Sequence, residues 1–379
     1  MDDLILARNR GIFERAAERG APIDRLLIEH DEGKDPNFFL VTGVEGHYLY
    51  ASAAVGPDGE PTLLVAQLEE NEARGTGLPF KVAGPSSAEN YSSILSGAKR
   101  IGVNGEALSY GRATTLQGLG LELVDVRHEI KRARTVKTPR ELEQMKKAAS
   151  MTARVAAYVP KMVREGMREF ELASEIDYSM GKLGSQGTSF PTLAAFGEGS
   201  ADPHHMSGKR KLKPGDLVLV DFGAVSGRMK ADITRTFVYG KVEEWQRRLY
   251  KMVLNAQEMA LDLLDVGVPS HLVHQTAEDY ITRELEGLGM GGTMGHGLGH
   301  GIGYLEHDGV RLTRKWKGDP NDPANPDFIV MDGLITTVEP GAYIPGRGGV
   351  RIEDDVYVGS SGVKILTGVA PKGRLIQIG

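Results

Sequence analysis

The chain has 379 residues and a mass of 41.0 kDa, a size that predicts two domains rather than a single hydrophobic core. The formal net charge of −6 and the pI near 6.0 argue against a nucleic-acid partner, and no apolar run approaches the roughly 18 residues that cross a bilayer. The first residues lack the basic and apolar regions of a signal peptide, so we expect a cytoplasmic protein without a membrane partner. Because cysteine is absent, any bound metal must be held by Asp, Glu and His.

The first third of the chain predicts an α/β domain. Residues 8–19 carry apolar side chains at helical spacing. Short apolar runs typical of strands follow at 25–28, 38–41 and 62–66. A highly charged stretch then separates this pattern from a long helical one. We therefore predict an N-terminal domain over residues 1–131 and a second domain over residues 132–379.

The second part of the chain predicts an α+β domain. Thr138 is placed to cap a long helix, with Pro139 at its first position and Glu141 completing a capping box. Two further helices are predicted at 169–181 and 244–264. Strands are predicted at 217–222, 233–238, 334–338 and 350–358. This arrangement is typical of helices packed against a largely antiparallel sheet.

A first pair of carboxylates lies at the ends of two predicted strands. Asp221 ends one apolar strand, and Asp232 begins the next after a turn. A hairpin between the two strands would bring these side chains close together. A single Asp at a strand end more often caps the strand or pairs with a nearby cation such as Arg228 or Lys230. The pair alone therefore does not indicate a site.

A second pair repeats the pattern across a turn rich in Gly and Pro. Glu339 ends one predicted strand, and Glu353 lies in the predicted strand that follows the turn. Carboxylates that are buried together repel each other and raise each other's pKa unless a cation neutralises them. Two such pairs in one sheet indicate a metal site, and four carboxylates carry the charge of two divalent ions.

Four of the ten histidines are candidate site residues: His204, His296, His300 and His307. Two of them lie four residues apart in a glycine-rich segment at 295–303, where glycine makes a helical zinc site improbable. The segment fits either a phosphate-binding loop or a strand whose glycines let a substrate backbone approach. His271 and His274 lie on a predicted helix and are expected to be structural.

Five residues, taken in chain order, resemble the metal ligands of the pita-bread metallopeptidases: Asp221, Asp232, His300, Glu339 and Glu353. This group includes methionine aminopeptidase, aminopeptidase P and prolidase (Xaa-Pro dipeptidase). The motifs that resemble the prolidase and aminopeptidase P branch are D-I-T-R-T at 232–236, G-H-G-I-G at 299–303, V-E-P-G at 338–341 and G-V-R-I-E-D at 349–354. The segment 37–43 is similar to the N-terminal domain of that branch and of creatinase. The resemblance implies an α/β creatinase-type N-terminal domain followed by an α+β pita-bread catalytic domain.

The resemblance also implies a metal centre. Asp221 would bind one ion, and Asp232 and Glu353 would bridge two. His300 and Glu339 would complete the other ion's ligands. This ligand set favours Mn²⁺, Co²⁺ or Zn²⁺ and does not choose among them.

The catalytic roles follow from the same resemblance. Glu339 would carry a proton to the leaving nitrogen, while His204 and His307 would hold the substrate carbonyl and the tetrahedral intermediate. His205 is a rival for the role of His204. Asp308 follows His307 where this branch usually has Glu. This difference puts the fine positioning of the site in doubt rather than its activity.

Three functions remain open. A prolidase cleaves Xaa-Pro dipeptides and needs a cation for the substrate carboxylate, for which Arg311 is the first candidate and Arg351 the second. Aminopeptidase P acts on longer proline-containing peptides. The third hypothesis is a creatinase-like hydrolase or a binding module on the same fold. The modest length favours prolidase. The segment 311–327 resembles an inserted loop that would shape the pocket, and the family usually forms homodimers.

Overall fold

The computed structural model describes residues 2–84, 86–318 and 327–379. It divides into two compact units after Arg134. The boundary predicted from the sequence, between residues 131 and 132, lies within the helix Arg127–Thr135. In the part of the chain that the structure describes, every helix is too short or too polar to span a membrane.

The first unit contains a six-stranded mixed sheet in the order β4-β3-β2-β1-β5-β6. Its strands are β1 (Arg25–Asp31), β2 (Tyr50–Val55), β3 (Pro61–Val65), β4 (Phe80–Val82), β5 (Arg100–Val103) and β6 (Glu122–Asp125). Its helices are α1 (Asp3–Glu18), α2 (Asn37–Thr42), α3 (Glu70–Gly75), α4 (Ser87–Ile94), α5 (Tyr110–Gly118) and α6 (Arg127–Thr135), with a 3-10 turn at Gln67–Glu69. The α/β pattern predicted for this region is confirmed.

One predicted strand of this unit is wrong. Residues 38–41 lie in helix α2, all of whose residues are buried. The Asp35 side chain accepts a hydrogen bond from the Asn37 backbone N–H at 2.9 Å, and Gly43, at φ 65°, ends the helix in the left-handed conformation. A short apolar run cannot distinguish a buried helix from a buried strand, because both bury every side chain.

The second unit carries the remaining helices and strands. Its helices are α7 (Pro139–Met162), α8 (Glu169–Lys182), α9 (Glu244–Leu263) and α10 (Ser270–Gly287), with a 3-10 turn at Gly197–Ala201. Its strands are β7 (Leu193–Phe196), β8 (Leu217–Phe222), β9 (Val225–Ser226), β10 (Met229–Lys230), β11 (Ile233–Tyr239), β12 (Gly299–His300), β13 (Arg311–Leu312), β14 (Leu334–Val338), β15 (Gly341–Ile344), β16 (Gly348–Arg351), β17 (Asp354–Gly359), β18 (Gly362–Ile365) and β19 (Ile376–Ile378). The capping box at Thr138 and Glu141 forms as predicted.

Two sheets form the centre of this unit. One has the order β19-β11-β8-β7 and packs its apolar side chains against α7 and α8. The other has the order β14-β17-β18, and its apolar residues share a core with α9 and α10. Short two-stranded pairs, β9–β10, β12–β13 and β15–β16, complete the unit. Most of these pairings are antiparallel, and β11–β19 is parallel.

The strand predicted at 350–358 is two strands, β16 and β17, separated at Ile352 and Glu353. β16 pairs with β15, whereas β17 pairs with β14, so the chain changes partner at this point. The Glu353 backbone N–H donates to the Thr234 carbonyl oxygen at 3.1 Å. The break therefore places Glu353 between the two sheets.

Candidate active site

The first two carboxylates are delivered by the hairpin that joins β8 to β11. Asp221 lies near the end of β8 opposite Thr234, and Asp232 directly precedes β11. The Asp232 backbone N–H donates to Asp355 Oδ2 at 3.0 Å. Asp221 Oδ2 accepts a hydrogen bond from Arg351 Nη2 at 2.5 Å. The antiparallel pairing predicted for these strands is present.

The two glutamates come from the neighbouring strands. Glu339 follows the last residue of β14, and its Oε1 accepts a hydrogen bond from Thr337 Oγ1 at 3.2 Å. Glu353 lies in the break between β16 and β17, and its Oε2 accepts from Thr234 Oγ1 at 2.6 Å. Glu353 is buried, and the Glu339 side chain is 16% exposed. Each glutamate thus has one oxygen held by a threonine hydroxyl.

His300 is oriented with one ring nitrogen towards these carboxylates. Its Nδ1 lies 3.1 Å from the Gly301 carbonyl oxygen, which fixes Nδ1 as the donor. Its Nε2 lies 3.3 Å from Glu339 Oε1 and 3.8 Å from Asp232 Oδ2. A histidine that donates from one nitrogen presents the lone pair of the other, as metal-binding histidines do.

Three of the five residues form a cluster of metal-binding size. One ligand atom from each of Asp232, His300 and Glu353 lies within 4.8 Å of the others. Asp221 Oδ1, Asp232 Oδ1 and Glu353 Oε1 are buried and have no hydrogen-bond partner among the residues that the structure describes. Buried oxygens are ordinarily paired, and carboxylate oxygens are ligands for hard divalent cations. The residues present therefore fit a metal site.

The electrostatics of the carboxylates agree with this fit. Burial, then the charges of Glu353 and Asp221, raise the pKa of Asp232 well above its ordinary value. Burial, then the charges of Glu339 and Asp221, do the same for the pKa of Glu353. Mutual repulsion in a buried site is what a divalent cation removes.

Glu339 and His300 behave as an ion pair. Burial acts to raise the pKa of Glu339, but the hydrogen bond and charge of His300, followed by the charges of His296 and Arg351, outweigh it and lower the pKa to about 2. Burial acts to lower the pKa of His300, but the hydrogen bond and charge of Glu339 raise it overall. A bound metal takes the place of the proton on this imidazole.

The two adjacent histidines at 204 and 205 have different surroundings. His205 Nε2 lies 2.9 Å from Oε2 of Glu169, a buried residue whose carboxylate also accepts the backbone N–H groups of Phe196 and Gly208. The His204 side chain is exposed, and its charge acts on the pKa of His296 within the same site. The pairing of His205 with Glu169 and the exposure of His204 favour His204 over His205 as a group that reaches a substrate, and its role stays a prediction.

His307 lies beside the metal cluster. Its ring packs edge-on against His300 with 4.2 Å between the centroids, and its side chain is half exposed. Burial and the charge of His300 lower its pKa, which favours the neutral ring. Asp308, the departure from the usual Glu, is buried, lies 3.4 Å from Lys137 Nζ and accepts the Tyr304 backbone N–H at 3.2 Å. The shorter Asp308 side chain therefore makes contacts within the loop that carries His307.

The two candidate arginines lie in unlike surroundings. Arg311 is exposed and stands directly opposite His300 in the β12–β13 pair, a position that puts both side chains on one face. Arg351 is buried, and besides Asp221 it donates to Tyr343 Oη at 2.8 Å and Thr234 Oγ1 at 2.9 Å. Its guanidinium is thus directed at the protein's own groups. Both assignments to a substrate carboxylate stay predictions.

Tyr343 and His296 extend the arginine contact. Tyr343 Oη lies 2.9 Å from His296 Nε2 and accepts from Arg351, which in turn holds Asp221. Tyr343 occupies an ordinary position in β15, and nothing in the sequence pattern singles it out. The connection appears only when β15 pairs with β16 and brings Gly341 opposite Arg351.

The glycine-rich segment has a structural explanation that differs from both predictions. A Cβ on Gly299 would lie 2.1 Å from the Thr337 carbonyl oxygen, and one on Gly301 would lie 2.1 Å from the Asp308 carbonyl oxygen. Gly299 and Gly301 therefore let the protein's own backbone approach closely. His274 supports the segment by accepting the Leu298 backbone N–H at 3.2 Å.

His271 and His274 have carboxylate neighbours that the sequence pattern did not indicate. His274 Nε2 lies 3.1 Å from Glu278, and His271 Nδ1 lies 3.9 Å from Asp327. His274 is buried and structural, as predicted. Of the proposed pocket loop at 311–327, residues 319–326 lie outside the described residues.

Both parts of the chain match known protein families. Residues 12–136 match the Creatinase/Prolidase N-terminal domain, and residues 143–360 match Metallopeptidase family M24. The chain belongs to metallopeptidase family M24. The predicted fold class, a creatinase-type domain followed by a pita-bread catalytic domain, is confirmed, and the enzyme is a metallopeptidase that uses divalent metal ions.

Similar proteins from this metallopeptidase family include dipeptidases and aminopeptidases. The chain is 31% identical over 354 residues to the Xaa-Pro dipeptidase of Pyrococcus furiosus, covering 91% of this chain and 97% of that protein. The structure of an Xaa-Pro dipeptidase from Bacillus anthracis superposes with a TM-score of 0.84 at 26% identity and covers 99% of each chain. An X-Pro aminopeptidase from Thermotoga maritima superposes with a TM-score of 0.81 at 27% identity, covering 96% of this chain and 99% of that one.

Proposed function

We propose that this metallopeptidase is an Xaa-Pro dipeptidase, a prolidase that hydrolyses the peptide bond before proline in dipeptides. The observation that carries the proposal is the convergence of Asp232, His300 and Glu353 within 4.8 Å, with buried carboxylate oxygens that lack partners among the described residues. The similarity to Xaa-Pro dipeptidases over nearly the whole chain supports the choice of substrate.

We propose that the site holds two divalent ions, chosen from Mn²⁺, Co²⁺ and Zn²⁺. Asp221 would bind one ion, Asp232 and Glu353 would lie between both, and His300 and Glu339 would bind the other. The support is a ligand set of four carboxylates and one imidazole with the charge that two divalent ions require. When bound, such a pair supplies an activated water and polarises the scissile carbonyl.

The residues around the cluster would handle the substrate. Glu339 would accept a proton from the attacking water and pass it to the leaving proline nitrogen. His204 and His307 would donate hydrogen bonds to the substrate carbonyl and to the oxyanion that develops from it. The neutral state favoured for His307 is compatible with donation from one ring nitrogen. Arg311 would pair with the free carboxylate of the dipeptide.

A second candidate function is Xaa-Pro aminopeptidase activity on longer peptides. The specific observation in its favour is the similar likeness in fold to the Thermotoga maritima aminopeptidase, with a TM-score of 0.81 against 0.84 for the Bacillus anthracis dipeptidase. Such an activity needs room beyond the proline rather than a cation for its carboxylate. The creatinase-like alternative has weaker support, because all five candidate ligands are present in a chain of the metallopeptidase family.

An assay with two substrate sets tests the proposal. The protein loaded with Mn²⁺ or Co²⁺ should cleave Gly-Pro and related dipeptides with a higher kcat/KM than tripeptides with proline in second position. A clear preference for the tripeptides would replace the dipeptidase by the aminopeptidase. Absence of cleavage of either set by metal-loaded protein would refute both.

We also propose that the protein acts as a homodimer in the cytoplasm. The support for the dimer is the resemblance to a family that usually dimerises, and light scattering tests it directly. The expected mass is twice 41.0 kDa, and a monomer at working concentration would contradict the proposal.

A further inference from the structure

Gln257 is a buried amide in the interior of helix α9. It is 0% exposed and lies among the buried residues of the face that α9 presents to the core of the second unit. A primary amide removed from water costs free energy unless its donors and its acceptor are paired. The partners of Gln257 therefore explain why a polar residue occupies this position.

Three of those partners lie in the two backbone segments that contain Glu339 and Glu353. Gln257 Nε2 lies 2.9 Å from the Val338 carbonyl oxygen, 3.2 Å from the Ile352 carbonyl oxygen and 3.1 Å from Asp354 Oδ2. Its Oε1 accepts a hydrogen bond from Lys372 Nζ at 2.6 Å. Three acceptors face the nitrogen and one donor faces the oxygen, so the orientation of the amide is determined by its surroundings.

The two carbonyl groups belong to the residues directly before the two glutamates. Val338 precedes Glu339, and Ile352 precedes Glu353. Glu339 follows β14, whereas Glu353 lies in the break between β16 and β17. One side-chain amide thus connects the two backbone segments that deliver the glutamates.

The third acceptor, Asp354, is itself held from several directions. Its Oδ1 accepts from Arg235 Nη2 at 2.8 Å and from Thr367 Oγ1 at 2.7 Å, and its Oδ2 accepts from Lys372 Nζ at 2.6 Å. Arg235 Nη1 also donates to the Glu353 carbonyl oxygen at 2.6 Å. The charges of Arg235 and Lys372 offset the burial of Asp354 and hold its pKa below the ordinary range.

We propose that Gln257 is a positioning residue that fixes the separation of Glu339 and Glu353, with Lys372 orienting its amide. The inference rests on the proposed function, since it needs the two glutamates to be metal ligands. Loss of a group that orients a metal ligand typically weakens metal binding about tenfold to a hundredfold. Removing the Gln257 amide should have an effect of that size.

The experiment compares two variants of one helix. Gln257→Met keeps the length of the side chain and removes its hydrogen bonds. Asn255→Leu is the matched control, because Asn255 is also an amide on α9 but donates to Tyr280 Oη at 3.0 Å, away from the site. Co²⁺ binding to the metal-free full-length chains is measured by equilibrium dialysis and by visible absorption of the bound ion.

We expect Gln257→Met to weaken Co²⁺ binding about tenfold to a hundredfold at one or both positions and to alter the absorption spectrum of the bound ions. Asn255→Leu should stay within about twofold of the wild type, since no ligand depends on it. Raising the Co²⁺ concentration should restore much of the activity of Gln257→Met, which a general loss of folding would not permit. Wild-type affinity and spectrum in Gln257→Met would overturn the proposal.

A second variant covers a failure of Gln257→Met to fold. Lys372 is 18% exposed at its side chain, and Lys372→Met removes the donor that orients the amide while leaving Gln257 in place. We expect a smaller loss of Co²⁺ affinity in the same direction, and unchanged affinity in a folded Lys372→Met would overturn the role of Lys372 and of the oriented amide.

The two proposals fail in different ways. Wild-type protein that binds Co²⁺ but cleaves no Xaa-Pro peptide would refute the proposed function and leave the Gln257 result standing. Cleavage by the wild type together with unchanged Co²⁺ binding in both variants would refute the positioning role alone. Wild-type protein that binds no Co²⁺, Mn²⁺ or Zn²⁺ would overturn both.

Discussion

Arg351 Nη2 lies 2.5 Å from Asp221 Oδ2, so a carboxylate proposed to bind metal is also the partner of a buried arginine. The arginine side chain is 4% exposed and that of Asp221 is 17% exposed. Asp221 therefore has one oxygen for the guanidinium and one, Oδ1, without a partner among the described residues. The pair orients Asp221 so that a single oxygen points at the site.

This pairing predicts a metal-dependent loss of stability in Arg351→Met. Breaking a buried ion pair leaves an uncompensated charge, which costs on the order of 3 kcal/mol for a pair whose carboxylate keeps some contact with solvent. A bound cation would compensate Asp221 in place of the arginine, so metal should restore part of the stability. Urea unfolding with and without Co²⁺ measures both quantities. Equal destabilisation in the two conditions would contradict metal binding by Asp221.

His300→Ala tests the metal assignment more directly. This change removes the imidazole ligand and, in metal-free protein, the ion-pair partner of Glu339, so the variant should be less stable than the wild type but remain soluble. We expect loss of hydrolysis to background together with reduced metal content per chain, measured by atomic absorption after dialysis. His271→Ala, on helix α10, is the control. Full activity in His300→Ala would exclude this residue as a ligand.

Local sequence patterns predicted the helix cap and the strand ends of the site, but not the contacts between distant segments. The capping box at Thr138 and the strand ends at Asp221 and Asp232 depend on residues a few positions apart, and they form as predicted. Gln257 contacts carbonyl groups 81 and 95 residues away, and no local pattern can indicate such contacts. Residues 38–41 were predicted wrongly for a local reason. A fully buried apolar run shows no hydrophobic periodicity that distinguishes a helix from a strand.

The glycine-rich segment shows why the remainder of the site needed the structure. Its glycines suggested contact with a ligand, but the atoms they admit belong to Thr337 and Asp308. The crowding depends on how β12 packs against β14 and on the loop after His300. The candidate ligands were identified from residue spacing through the family resemblance. The residues that contact those ligands indirectly, such as Tyr343, are brought into place by strand pairing.

Metal binding should release protons at mildly acidic pH. The pKa of His300 is raised above its ordinary value of 6.5 by Glu339, and that of Asp232 is raised by burial and by neighbouring carboxylates. The His300 imidazole therefore holds both of its ring protons in metal-free protein at pH 6, and a metal must displace the one on Nε2. Calorimetry of Co²⁺ binding at pH 6 in two buffers of different ionisation enthalpy should detect at least about one proton per chain. Zero release would contradict the protonated state.

His300 and Glu339 together contribute to the pH dependence of stability in the metal-free protein. A raised pKa for His300 contributes stability that is fully present below pH 6.5 and is lost as pH rises through the folded-state value. A pKa of about 2 for Glu339 contributes stability that is present above its ordinary value of 4.5 and is lost as pH falls towards 2. Without metal, their pair should be strongest between about pH 4.5 and 6.5, measured by urea unfolding across that range. His300→Ala should remove the contribution of this pair.

Arg311→Ala separates the two peptidase functions. If Arg311 pairs with the carboxylate of a dipeptide, its loss should raise KM for Xaa-Pro about tenfold or more, because charge-assisted hydrogen bonds contribute about 1.5–3 kcal/mol. Tripeptides, whose carboxylate lies elsewhere, should be affected less. Arg314→Ala is the matched control, since Arg314 is also exposed and pairs with Glu278 instead. Equal losses on both substrates would assign Arg311 to the loop.

The buried pair of Lys137 and Asp308 should control the loop that carries His307. Their side chains are 2% and 0% exposed, and Asp308 also accepts the Tyr304 backbone N–H. Asp308→Asn or Lys137→Met alone breaks this buried pair, whereas the double variant removes both of its charges. We expect each single variant to lower kcat/KM by roughly tenfold to a hundredfold through displacement of His307, and the double variant to recover part of the loss.

Glu143→Gln, which removes a charge from an exposed pair on α7, is the control and should change neither stability nor rate. Hydrogen exchange of the amides at 301–310 is measured in parallel, because a positioning role requires faster exchange there in the single variants and slower exchange again in the double variant. Losses that simply add in the double variant would show that the two residues act independently and that their pair does not hold the His307 loop.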